Sequence, residues 1–91
     1  MKTEGQILII DDDQGICTTL CDILEDEGYA VKDFNEGGKA LCFLKSNLVD
    51  VVFIDINLPD ISGMRLLEQI KLIKPESAVI MITGHASTAT A

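Results

Sequence analysis

The feature that most restricts this chain is a short, unbroken apolar run that stops at a carboxylate, and it occurs twice. Gln6-Ile7-Leu8-Ile9-Ile10 halts at Asp11-Asp12-Asp13, and Val51-Val52-Phe53-Ile54, within a segment running from Val49, halts at Asp55. A third run, Ala78-Val79-Ile80-Met81-Ile82, ends on the hydroxyl of Thr83. Continuous runs this short and this rich in β-branched residues are the pattern of strands covered on both faces.

Amphipathic segments separate these runs. Asp13 is placed to N-cap a helix whose apolar stripe is Ile16, Leu20, Ile23 and Leu24, and Gly28 stands where a helix C-cap glycine belongs. Tyr29 to Phe34 alternates more and reads as a shorter, more exposed edge strand. Gly37-Gly38 opens a second helix carrying Ala40, Leu41 and Leu44. Asn57-Leu58-Pro59-Asp60 is a turn, and Ser62 caps a third helix with Leu66, Leu67, Ile70 and Ile73 inward, ending near Lys74-Pro75. Gly84 to Ala91 reads as a loop with at most one helical turn. The order is strand, helix, strand, helix, strand, helix, strand. Short loops and right-handed crossovers turn that order into an α/β doubly wound parallel sheet with helices on both faces, in one domain over residues 1–91.

The chain carries fifteen acidic and seven basic residues, a net charge of −8. That balance argues against direct nucleic-acid contact, which needs a basic footprint. No run approaches the ~20 apolar residues of a membrane span, and Met1 to Gly5 lacks the apolar region of a signal peptide, so the expected address is cytoplasmic. Three cysteines cannot close a disulfide framework within one chain. Cys17 and Cys21, four apart on one helix without a nearby histidine, read as reduced thiols acting as small hydrophobes.

In a sheet of this kind ligands bind beyond the carboxyl ends of the strands, where the strand order reverses. Asp11, Asp12, Asp55 and Thr83 all fall at strand carboxyl ends. Carboxylates gathered there repel one another, and a hard divalent cation with oxygen ligands relieves the repulsion. A carboxylate beside Mg²⁺ is a competent phosphoryl acceptor, since such transfer is mostly positioning and charge neutralisation. Either acidic cluster alone reads equally well as capping and turn residues; two clusters with Thr83 favour a site.

The three segments Ile7-Leu8-Ile9-Ile10-Asp11-Asp12-Asp13, Val51-Val52-Phe53-Ile54-Asp55-Ile56-Asn57-Leu58-Pro59-Asp60-Ile61-Ser62-Gly63 and Val79-Ile80-Met81-Ile82-Thr83-Gly84-His85-Ala86 together resemble the response-regulator receiver family, in order and across essentially the whole chain. The resemblance implies a flavodoxin-like sheet of order 2-1-3-4, and Asp55 as acceptor of a phosphoryl group from a sensor histidine kinase. It implies Asp11 and Asp12 as the acidic pair, Asp12 binding Mg²⁺ directly and Asp11 more through water, with the backbone carbonyl of Asn57 and the carboxylate of Asp55 also on the metal. Thr83 would be the switch hydroxyl and Ala86 a small residue leaving access for the phosphodonor. Gly63 would serve the turn into the third helix. His85, the only histidine, reads as a loop residue, because the phosphohistidine of this pathway belongs to the kinase. Lys74 is a helix-end lysine, since the family's functional lysine follows the last strand.

The family pattern continues through a fourth helix, a fifth strand bearing that lysine, and a fifth helix, none of which lies within the 91 residues. The domain is therefore expected to be carboxyl-terminally incomplete, with a fragment of a longer regulator bearing an effector domain favoured. A truncated chain dimerising through an exposed fourth-strand edge and a minimal receiver are the other readings. Among functions, the alternatives are a receiver-like docking module that is never phosphorylated, an aspartyl-phosphate hydrolase, and a nucleotide or flavin module. Asn57 counts against the hydrolase, which places a general-acid aspartate there. The three aspartates after the first strand count against a phosphate-cradling loop.

Overall fold

The computed structural model describes residues 5–56 and 58–82. Within them the chain runs β1 (Gln6–Ile10), α1 (Gln14–Asp26), β2 (Ala30–Phe34), α2 (Gly37–Ser46), β3 (Val51–Asp55), α3 (Gly63–Ile73) and β4 (Ala78–Ile82). The strands form one sheet of order β2-β1-β3-β4 in which every pairing is parallel. The chain steps outward from β1 to β2, then crosses back to β3, so the order reverses between β1 and β3. The flavodoxin-like order expected from the sequence is the observed one.

The register explains why the central runs are apolar throughout. Leu8 pairs with Val52 and Val52 with Val79, while Ile10 pairs with Ile54 and Ile54 with Met81. These side chains share one face and pack with Ala40 and Leu44 of α2 and Leu66 and Ile70 of α3. The alternate residues Ile7, Ile9, Val51 and Phe53 face the other way and pack against Cys17, Leu20 and Leu24 of α1. Both faces of β1 and β3 are therefore covered, with Val51 and Phe53 only partly buried on the α1 side, and burial of each fully enclosed large side chain contributes roughly 1.5–3 kcal/mol. No residue of β2 is fully buried, in keeping with an edge strand. β4 forms the opposite edge among the described residues, with Ile80 exposed.

Local chemistry sets the helix limits. The Asp13 carboxylate accepts from the N–H groups of Gly15 and Ile16 at 2.9 and 3.2 Å, the expected N-cap of α1. Gly28, at φ +101°, takes the left-handed conformation just past the α1 C-cap. Ser62 Oγ accepts from Arg65 N–H at 3.3 Å and caps α3.

Three expectations need correction. Ile23 is 54% exposed, and Cys17, which lies outside the expected apolar stripe, is buried in its stead. The inner face of α1 is turned towards the cysteine, which packs as a small hydrophobe. Ile73, at the last position of α3, is 37% exposed because the helix ends there and leaves it beyond the sheet. Tyr29 precedes β2 rather than opening it, since its N–H donates to Leu24 O in the final turn of α1.

Candidate functional site

The first residues after β1 and the last residue of β3 meet at the carboxyl edge of the sheet, where the strand order reverses. Asp11 continues the β1–β2 ladder, its N–H donating to Phe34 O at 3.0 Å. The pairing fixes its backbone, and the residue is 3% exposed. Its carboxylate accepts from Asp13 N–H at 2.9 Å, closing a tight turn that leaves the neighbouring Asp12 in solvent. Asp55 pairs with Ile82 of β4 and is 8% exposed. One carboxylate oxygen from each of Asp11, Asp12 and Asp55 lies within 4.8 Å of the others.

Burial pushes the Asp11 carboxyl up to about 6. The hydrogen bond from Asp13 N–H opposes the shift, and the Asp55 and Asp12 carboxylates add to it. A carboxyl held this high by desolvation and like charge at a sheet edge marks a place that favours a proton or a cation. The donor set is all carboxylate oxygen, the hard ligand type of Mg²⁺ and Ca²⁺. Ligands opposed across such ions stand about 4–5 Å apart, so the observed spacing accommodates one ion with little side-chain rotation. An open groove of about 620 Å³ runs from Asp11 and Asp13 past Ile16 and Leu20 of α1 to Ile82, so the cluster is reachable from solvent.

Two residues near the cluster do more than the turn roles expected of them. Gly63 lies directly under Asp55. Its N–H donates to Ile56 O at 2.9 Å, and a Cβ there would stand 2.7 Å from Asp55 O and 2.8 Å from Ile56 Cα. Asp60 accepts from the N–H groups of Gly37 and Gly38 at 2.9 Å each and caps α2 across the loop. A cap contributed from more than twenty residues away has no local signature. Of the site residues expected from the sequence, Asp11, Asp12 and Asp55 are brought together; Asn57, Thr83 and Ala86 lie outside the described residues, as does the loop residue His85.

The response regulator receiver domain family matches residues 7–91. Among curated proteins, the alginate biosynthesis transcriptional regulatory protein AlgB of Pseudomonas aeruginosa is 33% identical over 90 residues, which is 99% of this chain and 20% of AlgB. The transcriptional regulatory protein CreB of Escherichia coli is 35% identical over 80 residues, 88% of this chain and 35% of CreB. The chain thus spans a fifth to about a third of the length of these relatives. Among solved structures, a CheY-like receiver domain protein of Methanospirillum hungatei superposes with a TM-score of 0.87 at 38% identity, covering 93% of this chain and 68% of that one. The response regulator TrrA of Thermotoga maritima, solved in complex with Mg²⁺ and BeF, gives 0.84 at 30% identity, covering 94% and 75%.

A parallel sheet of this order, an acidic cluster at its reversal point and a family match over nearly the whole chain define a signalling domain rather than a turnover enzyme. The chain belongs to the response regulator receiver family.

Proposed function

We propose that Asp55 is the phosphoacceptor of this receiver and that phosphorylation there depends on Mg²⁺ held by Asp11, Asp12 and Asp55, with the Asn57 carbonyl completing the protein ligands. The observation that carries the reading is the cluster of three carboxylates drawn from the ends of β1 and β3. A bound cation supplies charge neutralisation for the transferred phosphoryl group. Two similar structures support the same chemistry for this chain: TrrA in complex with Mg²⁺ and BeF, and a Burkholderia pseudomallei response regulator with a phosphorylated aspartic acid and a calcium ion.

In the proposed step an Asp55 carboxylate oxygen attacks the phosphorus of a kinase phosphohistidine. The P–O bond forms as the P–N bond breaks, and the released imidazole nitrogen takes a proton from solvent. Asp55 is suited to this because β3 and the Gly63 contact fix its backbone at the carboxyl edge of the sheet. Asp11 and Asp12 act by holding the ion and lowering the repulsion the incoming phosphoryl group meets. Thr83 is proposed to turn towards the acyl phosphate and report it, with Ala86 leaving room for the donor. The domain would then bias a two-state switch read by an effector domain in a longer cytoplasmic regulator of transcription. The net charge of −8 supports a receiver that does not itself touch nucleic acid. No described helix is long and apolar enough to cross a membrane.

The test is incubation with Mg²⁺ and a small acyl-phosphate donor, followed by intact mass, on a chain extended through the full receiver. One phosphoryl adduct is expected, and none in Asp55→Asn. An adduct retained in Asp55→Asn overturns the assignment.

A further inference from the structure

The loop joining β3 to α3 leaves directly from Asp55, a member of the carboxylate cluster, so whatever holds that loop bears on the end of β3 where the proposed cation sits. Among the described residues it is held where Ile56 N–H extends the sheet to Ile82 O at 3.1 Å, and at two further points. On the inside, Gly63 N–H donates to Ile56 O, with no room for a side chain against Asp55. On the outside, the Asp60 carboxylate spans the first two N–H groups of α2, one oxygen to Gly37 and the other to Gly38, at 2.9 Å each. The residue in the local N-cap position of α2, Glu36, makes no side-chain capping hydrogen bond, so the helix takes its cap from the loop. Gly37 is pressed against Ile61 and Leu66 so closely that a Cβ there would clash with Ile61 Cγ2. Helix and loop therefore meet without slack, joined by a charge-assisted pair at a helix N-terminus, where a carboxylate is favoured.

We infer that Asp60 is a positioning residue for the cation site: clasping α2, it sets where the β3–α3 loop, and the backbone just after Asp55, stand relative to the Asp11–Asp12–Asp55 cluster. The inference rests on the proposed reading of that cluster as a Mg²⁺ site. Asp60 does not belong to the cluster, and it touches neither the ion nor the phosphoryl group. It acts through the loop, as residues supporting a metal ligand act through the ligand they orient. A purely structural cap would stabilise α2 and leave cation affinity alone, and the two roles are separable.

The experiment is calorimetric titration of MgCl₂ into the wild-type chain, Asp60→Ala, Asp60→Asn and Ser77→Ala, with thermal unfolding of each. Ser77 is the control: it is buried at the opposite end of the sheet, where its hydroxyl donates to Val49 O. Asp60→Ala is expected to weaken Mg²⁺ about tenfold, the low end for loss of a residue that supports a metal ligand. Asp60→Asn should weaken it less, because the amide oxygen still accepts from one of the two N–H groups. Ser77→Ala should lower Tm and bind Mg²⁺ as the wild type does. Should Asp60→Ala not fold, Asp60→Asn alone decides. Asp60 variants that lose stability yet bind Mg²⁺ with wild-type affinity would reduce Asp60 to a helix cap and overturn the inference, with the cluster still a cation site. A wild-type chain that takes up no Mg²⁺ would overturn the cation reading and this inference together.

Discussion

Asp60 accepts from Gly38 and Gly37 N–H, and these two hydrogen bonds hold its carboxyl below the ordinary 3.8. A group whose folded value lies below its unfolded one contributes stability above the unfolded value, and that stability is lost as pH falls through the folded value. The clasp should therefore be intact at neutral pH and open in acid below pH 3.8. In urea unfolding followed from pH 7 to pH 2, the wild type should lose more stability below that point than Asp60→Asn; parallel curves would mean the carboxylate's charge is not what holds the loop. Cys17 shows the opposite effect of environment. Burial, then the Asp33 and Asp11 carboxylates, push its thiol up to about 12, and its Sγ donates to Asp11 O at 3.3 Å. Cys42 is exposed. At pH 8 a thiol-alkylating reagent should modify Cys42 rapidly and Cys17 only in denaturant, read by mass of the cysteine peptides, because the thiolate is the reactive form.

At the scale of elements, the loop after Asp55 is fitted to α3 by the absence of one side chain. Gly63→Ala would force a Cβ into the backbone of Asp55 and Ile56, and such overpacking costs about 1–3 kcal/mol. The midpoint of urea unfolding should fall accordingly, and an unchanged midpoint would mean the loop relaxes freely. Three of the four strands are legible in the sequence because each is a continuous apolar run ending at a chemical signal, and β2, which carries Lys32 and Asp33, is legible from its alternation. The capping residues Asp13 and Ser62 are legible because their partners lie two and three residues on. The cap of α2 is not, since Asp60 is distant in sequence from Gly37 and Gly38 and meets them only after the sheet has formed. The inner face of α1 runs along Cys17, Leu20, Cys21 and Leu24, a helical stripe that leaves Ile23 outside although hydropathy alone favours Ile23 over Cys17.

At the scale of the whole molecule, alternating strands and helices with short connections leave few topologies, and the observed order follows from them. The reversal between β1 and β3 then brings Asp11 and Asp12 beside Asp55, residues more than forty positions apart. That convergence is readable from the places where apolar runs stop. The push of burial on Asp11 is not, because it depends on the Phe34 pairing and the Asp13 turn that close over its backbone and carboxylate. The proposed function requires that a phosphoryl group enter at the end of β3 only when a divalent cation is held there. Its most direct test maps the phosphorylated residue after treatment with an acyl-phosphate donor, in Mg²⁺ and in excess chelator, on a chain carrying the full receiver. Reductive cleavage of the acyl phosphate should convert position 55 alone to homoserine, and only in the Mg²⁺ sample. Homoserine at any other aspartate, or equal conversion in chelator, would contradict the account.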